Sequence, residues 1–247
     1  MLFEHYCRAV QPEVIGDQID IAVDDLIQDL RAKAHWAFEH IRKNEKVTVG
    51  KNTWFNGYYD NKGARVEGLK GKNVWMTLTG QVFPIMSGLA GHDEIKQVAA
   101  SVNRYLKDKK LKGLHLNTDF GLRHYLDFGR AFGFAYGTKE NGAFFSHMTV
   151  MYAYALYKNG FVREGFEVLR SIYDMCMDTD KSKIYPGIPE YFDSLGQGMY
   201  HYLTGSASWL VLTELTQGRR GKAPRGSSTL PLVVYGGNCR LGDLPTW

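Results

Sequence analysis

The stretch Trp54-Phe-Asn-Gly-Tyr-Tyr-Asp60-Asn-Lys-Gly-Ala-Arg-Val-Glu-Gly68 decides how this chain is interpreted. It follows a long amphipathic segment and places one carboxylate, Asp60, beside two tyrosines and a tryptophan. Aromatic rings cover the apolar faces of a pyranose, and a carboxylic acid can protonate a glycosidic oxygen. The stretch therefore indicates a carbohydrate site in a loop, with Asp60 as the candidate acid and with Trp54 and Tyr59 as candidate sugar contacts.

Two interpretations of Asp60 follow from its neighbours. As a general acid it must hold a proton near neutral pH, and burial against Tyr58, Tyr59 and Trp54 would raise its pKa. As a turn residue in Tyr-Asp-Asn-Lys-Gly it would instead accept hydrogen bonds from the local backbone, for which Asp and Asn are favoured.

The composition excludes several classes of protein. The chain has 247 residues, 44% of them hydrophobic and 23% charged, which is typical of a globular protein with one large or two small domains. A net charge of +4, with dispersed Lys and Arg, argues against nucleic acid or an anionic membrane as a partner. Three distant cysteines and the absence of a signal-peptide pattern or a long apolar run predict a cytoplasmic protein with reduced thiols.

Apolar residues recur at helical spacing in six segments of the chain. The predicted helices are 20–44, 81–90, 93–107, 146–158, 162–177 and 199–216. The fourth and fifth form a hairpin broken at Asn159-Gly160, and the last is apolar nearly all round, which predicts burial.

Strand signals are weak, and long Gly-rich loops, 52–75, 113–145 and 179–198, join the helices. Loops of this length usually carry function. Paired helices with active loops at one end predict an all-α fold, an (α/α)6 toroid of which six helices make about half. We expect residues 1–217 to form this partial catalytic domain and residues 218–247, which have no periodicity, to form an irregular or disordered tail.

Three blocks, taken together and in order, carry a resemblance to a known family. They are Asp60 in its Trp-x5-Asp setting, Thr138-Lys-Glu-Asn-Gly-Ala-Phe-Phe-Ser-His147 and Tyr202-Leu-Thr-Gly-Ser-Ala-Ser-Trp209. They resemble the inverting β-glucan phosphorylases of glycoside hydrolase family 94. The resemblance implies cleavage of a β-linked glucose oligosaccharide by inorganic phosphate to α-glucose 1-phosphate. It implies phosphate as co-substrate without metal or organic cofactor, and a homodimer in the full-length parent.

The resemblance also implies roles for residues outside the opening stretch. His147 precedes an apolar helical run, where helix-end amides favour an anion, and it would bind phosphate together with Thr204, Gly205 and Ser206. The alternative interpretation of Thr204, Gly205 and Ser206 is that these small residues only pack inside a buried helix. The candidate substrate contacts are Gln81, Glu140, Glu190 and Tyr191.

Two rival functions remain open on the sequence. An inverting hydrolase on the same scaffold would need a second carboxylate as base, for which Glu190 is the candidate, and its turnover would not depend on phosphate. The other rival is an inactive, truncated gene product.

Overall fold

The computed structural model describes residues 2–9, 19–121, 125–184, 187–200, 205–220, 232–234 and 237–239. The chain divides into two compact units, Met1–Ile41 and Arg42–Trp247. Every candidate site residue belongs to the second unit, so the architecture of that unit positions the site.

Two helices begin the described part of the chain, α1 at Leu2–Ala9 and α2 at Val23–Asn44. Helix α2 starts with two aspartates and ends with an Arg-Lys pair, so its charged ends complement the helix dipole. The helix predicted over 20–44 is confirmed. None of the described helices is both long and apolar enough to cross a membrane.

Two hairpins flank the aromatic stretch that carries Asp60. Each has two short antiparallel strands: β1 Lys46–Val49 with β2 Asn52–Phe55, and β3 Gly68–Lys70 with β4 Asn73–Trp75. Their turns contain Gly50 and Gly71, with φ of 59° and 63°. Glycine adopts this left-handed conformation without steric cost, which is why the chain reverses there.

The helices of the second unit contain about half of its buried hydrophobic residues. They are α3 Thr79–Met86, α4 His92–Tyr105, α5 Tyr125–Phe128, α6 Ser146–Lys158, α7 Val162–Met177, α8 Thr179–Ser182 and α9 Gly205–Arg220. A single 3₁₀ turn covers Arg130–Gly133. The predicted hairpin of 146–158 and 162–177 is confirmed residue for residue, with Gly160 at a φ of 85° in its turn.

Helix α6 is the centre of this core, because it packs against α3, α7 and α9. Nine of its thirteen residues are buried, so it has apolar side chains on nearly every face. Helix α9 was predicted to be buried all round, and this is wrong for part of it: Val211 and Leu212 are 44% and 42% exposed. Its packing against α6 covers one side only among the described residues.

A third sheet lies beside the N-terminus of α6. Its strands are β5 Phe144–Phe145, β6 Tyr191–Phe192 and β7 Gly198–Met199, in the order β5-β6-β7 and antiparallel throughout. Phe144 and Phe192 are paired and almost fully buried, which anchors the sheet on the core. The sheet brings β5 together with the β6–β7 hairpin, which lies more than 40 residues further along the chain.

The C-terminal segment contains one further hairpin, β8 Leu232–Val234 with β9 Gly237–Cys239. Helix α9 continues three residues past 217, to Arg220. The other residues of the predicted tail beyond Arg220 lie outside the described residues, so the domain boundary at 217 stays a prediction.

The all-α fold class is wrong. The described residues form four small antiparallel sheets beside the helices, so the fold is mixed. The strands have only two to four residues each, and β2 to β6 lie inside the segments predicted as loops. Strands so short give no alternation that can be separated from loop sequence, which is the physical reason for the error.

Candidate functional site

The N-termini of α6 and α9 meet at His147 and Gly205. Gly205 is the first residue of α9, and a Cβ added to it would lie 2.6 Å from Nε2 of the His147 ring. Further along both helices, the rings of Tyr154 and Trp209 pack edge to face at 5.2 Å. The two helices therefore run in the same direction, and the positive ends of both dipoles converge at His147.

Three polar atoms at this meeting point have no hydrogen-bond partner among the residues that the structure describes. Ser146 and Ser206 are 1% and 0% exposed, and neither buried Oγ atom has a hydrogen-bond partner. The Nε2 atom of His147 is also buried and unpartnered. Buried polar groups in native proteins are nearly always paired, so a set of three orphans indicates a ligand that supplies their partners. Such a site can bind an anion, because the two hydroxyls and the imidazole can donate hydrogen bonds and the two helix N-termini add positive potential.

Burial lowers the pKa of His147, because desolvation disfavours the imidazolium, while the charge of Glu190 acts in the opposite direction. The imidazole is therefore neutral at physiological pH. In the tautomer with hydrogen on Nε2 it donates one hydrogen bond.

The three-stranded sheet places the other predicted contacts around His147. The Ser146 amide donates to the Glu190 carbonyl at 2.9 Å, and the Glu190 amide donates to the Tyr200 carbonyl at 3.3 Å. The ring of Tyr191 stacks on Phe145 at 4.5 Å, and Phe145 meets the His147 ring at 5.7 Å. The structure thus places five of the candidate residues, His147, Gly205, Ser206, Glu190 and Tyr191, around the N-termini of α6 and α9.

Glu140 lies in a tight loop that reaches the same sheet. Its Oε1 accepts from Nη2 of Arg130 at 2.5 Å, whereas its Oε2 is buried and unpartnered. The neighbouring Lys139 has a φ of 48°, which is uncommon for a residue with a side chain. The Lys139 ammonium lies 5.2 Å from the centroid of the Tyr200 ring, which connects this loop to the sheet.

Asn117, which sequence reasoning missed, fixes the Glu140 loop. It is 2% exposed, its Oδ1 accepts from the Gly142 amide at 2.9 Å, and its Nδ2 donates to Asn141 Oδ1 at 3.1 Å. The signal was present in the alternation Leu114-His-Leu-Asn117, which puts two polar residues on the face opposite two buried leucines.

Asp60 acts as a turn residue in this structure. Its Oδ1 accepts from the backbone amides of Lys62 and Ala64 at 2.9 and 2.8 Å, and the side chain is only partly buried. The hydroxyl of Tyr58 donates to the Phe128 carbonyl. This geometry matches the local-backbone interpretation of Asp60, and its catalytic role stays a prediction.

The aromatic neighbours expected to bury Asp60 have other partners. Tyr59 is 45% exposed and its hydroxyl donates to Glu45 at 2.5 Å, so its ring can still be reached by a ligand. Trp54 is fully buried and its Nε1 donates to Glu67 at 2.9 Å. The expectation that Trp54 contacts sugar is corrected, because its ring has no exposed surface.

Glu67 is a buried carboxylate of this region that sequence reasoning missed. Its Oε1 accepts from the Gly57 amide and the Thr77 hydroxyl, and its Oε2 from Trp54 and the Thr77 amide. Burial raises the pKa of Glu67 to about 7, although these four hydrogen bonds oppose the rise. Glu67 is only 4% exposed, and both of its carboxylate oxygens already accept hydrogen bonds. It therefore stabilises the loop and does not reach a ligand.

Gln81 also has a structural role. It is fully buried, and its amide makes hydrogen bonds with both the N–H and the carbonyl of Phe55, at 2.9 and 2.8 Å. The predicted substrate contact of Gln81 is therefore corrected. Thr204 lies outside the described residues. Within the described chain no three His, Cys, Asp or Glu side chains form a metal site.

Comparison with solved structures finds a similar fold in a sugar epimerase from a ruminal bacterium, with a TM-score of 0.51 and 12% identity. The alignment covers 79% of this chain and 50% of that one, so the chain spans about half the length of the structure it matches. At this identity the likeness concerns the fold alone. A comparison with curated proteins gives no match.

The family model described as the catalytic domain of the glycosyl hydrolase 94 superfamily matches residues 23–218. This range is well over half of the chain and contains every candidate site residue. The chain belongs to the glycosyl hydrolase 94 superfamily, and the match is to its catalytic domain.

Proposed function

We propose that this chain carries the phosphate-binding and sugar-binding part of an inverting glycoside phosphorylase. The reaction would cleave a β-linked glucose oligosaccharide with inorganic phosphate and give α-glucose 1-phosphate. A phosphorylase needs one acid and an anion site, because phosphate is itself the nucleophile and no base has to activate water.

The observation that carries the proposal is the set of orphaned donors where α6 and α9 meet. Ser146, Ser206 and His147 supply two hydroxyls and one ring nitrogen, and within the described ranges none of these three atoms has a hydrogen-bond partner. Two helix N-termini add positive potential at the same point. A phosphate oxygen placed there would satisfy the buried donors and gain charge-assisted hydrogen bonds.

The site as it stands is closed at Nε2 of His147, since that atom is buried. Phosphate entry therefore requires rotation of the imidazole or movement of the first turn of α9. His147 as a whole is only partly buried, so rotation about its terminal bond is the smaller change.

A second candidate function is an inverting hydrolase, favoured by the charge of Glu190 acting on His147. A carboxylate at this point would oppose a phosphate dianion and could instead deprotonate water. The two functions differ in whether turnover depends on phosphate.

The test is to incubate the protein with cello-, laminari- and sophoro-oligosaccharides, with and without phosphate. A phosphorylase releases glucose 1-phosphate only with phosphate, and the His147→Ala variant loses that product. A hydrolase releases free glucose at equal rates in both conditions, and the Glu190→Gln variant abolishes it. Absence of glucose 1-phosphate with every oligosaccharide would reject the phosphorylase.

A further inference from the structure

We infer that Glu45 is a positioning residue for the proposed proton donor, because its carboxylate holds both sides of the hairpin that carries Asp60. The inference rests on the proposed function in one respect, since it takes Asp60 to be the acid that protonates the departing sugar oxygen. Glu45 has no predicted role, and it would act through Asp60 without touching the substrate.

Asp60 lies at the tip of a short hairpin formed by residues 58–66. Tyr59 and Arg65 pair across this hairpin as an antiparallel bridge. Beyond the bridge, the Asp60 amide donates to the Ala64 carbonyl at 2.9 Å, which closes the tip. These bonds leave the tip little freedom of its own, so the direction of the Asp60 carboxyl depends on how the whole hairpin is held.

The Glu45 carboxylate contacts both members of that bridge. Its Oε1 accepts from the Tyr59 hydroxyl at 2.5 Å, and its Oε2 lies 3.6 Å from Nε of Arg65 and accepts from Nδ2 of Asn56 at 3.1 Å. The Glu45 side chain is only 8% exposed, so these contacts are largely shielded from water. A buried carboxylate that loses its partners is costly, so the hairpin cannot shift away from Glu45 without a penalty.

The backbone around Glu45 fixes the carboxylate in turn. The Glu45 carbonyl accepts from the Asn56 amide at 2.7 Å. Glu45 also directly precedes β1, which pairs with β2 over four residue pairs. Helix α5 gives the hairpin a second support, since the Asn61 amide donates to the Asp127 carbonyl at 2.9 Å. Glu45 therefore connects the hairpin to the β1–β2 sheet, whose strand pairing does not involve the tip.

The Asp60 carboxylate keeps one oxygen for a ligand. Its Oδ1 accepts from the amides of Lys62 and Ala64, whereas its Oδ2 has no hydrogen-bond partner among the described residues. Because the turn holds Oδ1, the direction of Oδ2 follows the hairpin. A general acid must lie within hydrogen-bond reach of the oxygen that it protonates, and a misplacement of about 1 Å can cost about a hundredfold in rate.

The experiment compares Glu45→Ala, Glu45→Gln and Tyr59→Phe in the full chain, with Asn159→Ala as the control. The control removes two part-buried hydrogen bonds, to the Ile85 and Ala155 carbonyls, at the C-terminal end of α6. Each variant is assayed with phosphate on two substrates. One is whichever of cello-, laminari- and sophoro-tetraose the wild type cleaves fastest, and the other is a dinitrophenyl β-glucoside, whose leaving group departs without a proton.

We expect Glu45→Ala to lower kcat for the tetraose about tenfold to a hundredfold, with KM within about twofold of the wild type, because a misplaced acid weakens only the transition state. The dinitrophenyl glucoside should lose less than about threefold in kcat, since it needs no acid. Glu45→Gln should keep part of the turnover, because its amide oxygen still accepts from Tyr59. Asn159→Ala should change the melting temperature without changing the ratio of the two rates.

Two further measurements belong to the same variants. Hydrogen exchange at the amides of Lys62 and Ala64 should accelerate in Glu45→Ala and stay as in the wild type in Asn159→Ala. Tyr59→Phe keeps its ring for a ligand but loses the hydroxyl that meets Glu45, so its kcat for the tetraose should fall in the same direction as that of Glu45→Gln.

The positioning role is rejected if kcat is unchanged in Glu45→Ala, if both substrates lose turnover alike, or if the wild type turns over neither. Equal loss on both substrates is the result that a purely structural role would give. These outcomes are separate from the fate of the phosphorylase. Release of free glucose in place of glucose 1-phosphate, with the same dependence on Glu45, would keep the positioning role and remove phosphorolysis. Glucose 1-phosphate formed by Glu45→Ala at the rate of the wild type would do the reverse.

Discussion

Gly205 lies so close to the imidazole of His147 that a methyl group on residue 205 would be 2.6 Å from Nε2. Only a glycine allows the first turn of α9 to approach the ring in this way. The two residues come from predicted motifs 58 positions apart, and their contact creates the proposed anion site.

The first prediction concerns this contact. Gly205→Ala should displace the His147 ring, abolish the shift of its NMR signals on adding phosphate, and cost about 1–3 kcal/mol of stability from overpacking. Gly91→Ala is the control, since its added Cβ meets nothing nearer than 3.6 Å. Unchanged phosphate binding in Gly205→Ala would contradict the proposed anion site.

The second prediction follows from the lowered pKa of His147, which burial causes. The NMR titration midpoint of His147 should lie below the ordinary histidine value of about 6.5. Because the unfolded state binds the proton more readily, His147 costs stability as the pH falls below that value. Glu190→Gln should lower the midpoint further, since the carboxylate favours the imidazolium. A midpoint that rises in Glu190→Gln would show that the two groups do not interact.

The third prediction concerns Glu67, whose pKa burial raises to about 7. Between pH values of about 4.5 and 7 the native state keeps a proton that the unfolded state releases, so stability falls as the pH rises, by about 3 kcal/mol in total. Glu67→Gln stays neutral and should lack this contribution. Urea unfolding across that range measures it, with the exposed Glu167→Gln as control. If the free energy of unfolding depended on pH in the same way for Glu67→Gln and the wild type, the raised pKa of Glu67 would be contradicted.

The fourth prediction tests Asn117 as the anchor of the Glu140 loop. Asn117→Asp replaces the donor that faces Asn141 Oδ1 with a charged oxygen and should cost about 1–3 kcal/mol. Hydrogen exchange of residues 137–142 should accelerate, and oligosaccharide binding should weaken. The control is Asn61→Asp, whose side chain bonds the Leu126 carbonyl in an exposed setting. If hydrogen exchange in the loop did not change, Asn117 would not be needed to hold the loop, and the prediction would be wrong.

The fifth prediction separates the two interpretations of Asp60. Asp60→Asn keeps an oxygen for the amides of Lys62 and Ala64, so its stability should stay within about 0.5 kcal/mol of the wild type. Asp60→Ala should lose about 1 kcal/mol, because the turn loses its acceptor. The proposal that Asp60 is the acid predicts that Asp60→Asn loses phosphorolysis with an unchanged melting curve. Phosphorolysis that survives in Asp60→Asn would leave Asp60 with its role in the turn alone.

Sequence reasoning predicted long periodic helices well and short strands poorly. Helices α6 and α7 have strong periodicity and a clear Asn-Gly stop, so their bounds followed from local chemistry. Strands β5, β6 and β7 have two residues each, and β5 pairs with a segment more than 40 residues away. A short window of sequence does not contain that pairing, and two residues show no strand alternation, so the all-α prediction failed there.

The residues predicted for the candidate site also fall into two groups, those that meet in the structure and those that are buried elsewhere in the fold. His147, Gly205 and Ser206 were predicted from motifs and meet in the structure. Trp54 and Gln81 were also predicted from motifs, but both are buried and satisfied inside the fold. Residue type and spacing show that a side chain can bind a ligand, and only tertiary packing decides whether it faces one. Glu67 escaped notice because its role depends on hydrogen bonds with Trp54, Gly57 and Thr77, which only the folded loop brings around one carboxylate.

The β5-β6-β7 sheet has a consequence for how this site can diversify. The hairpin joining β6 and β7 is closed by Asp193, whose carboxylate accepts from the amides of Leu195 and Gln197. Its tip is solvent-exposed, with Leu195 75% accessible. Insertions at this tip would leave the strand pairing intact. Tyr191 and Tyr200 would keep their positions, while the exposed turn between β6 and β7 became longer. We therefore expect that lengthening this hairpin would alter the proposed oligosaccharide preference without disturbing the sheet.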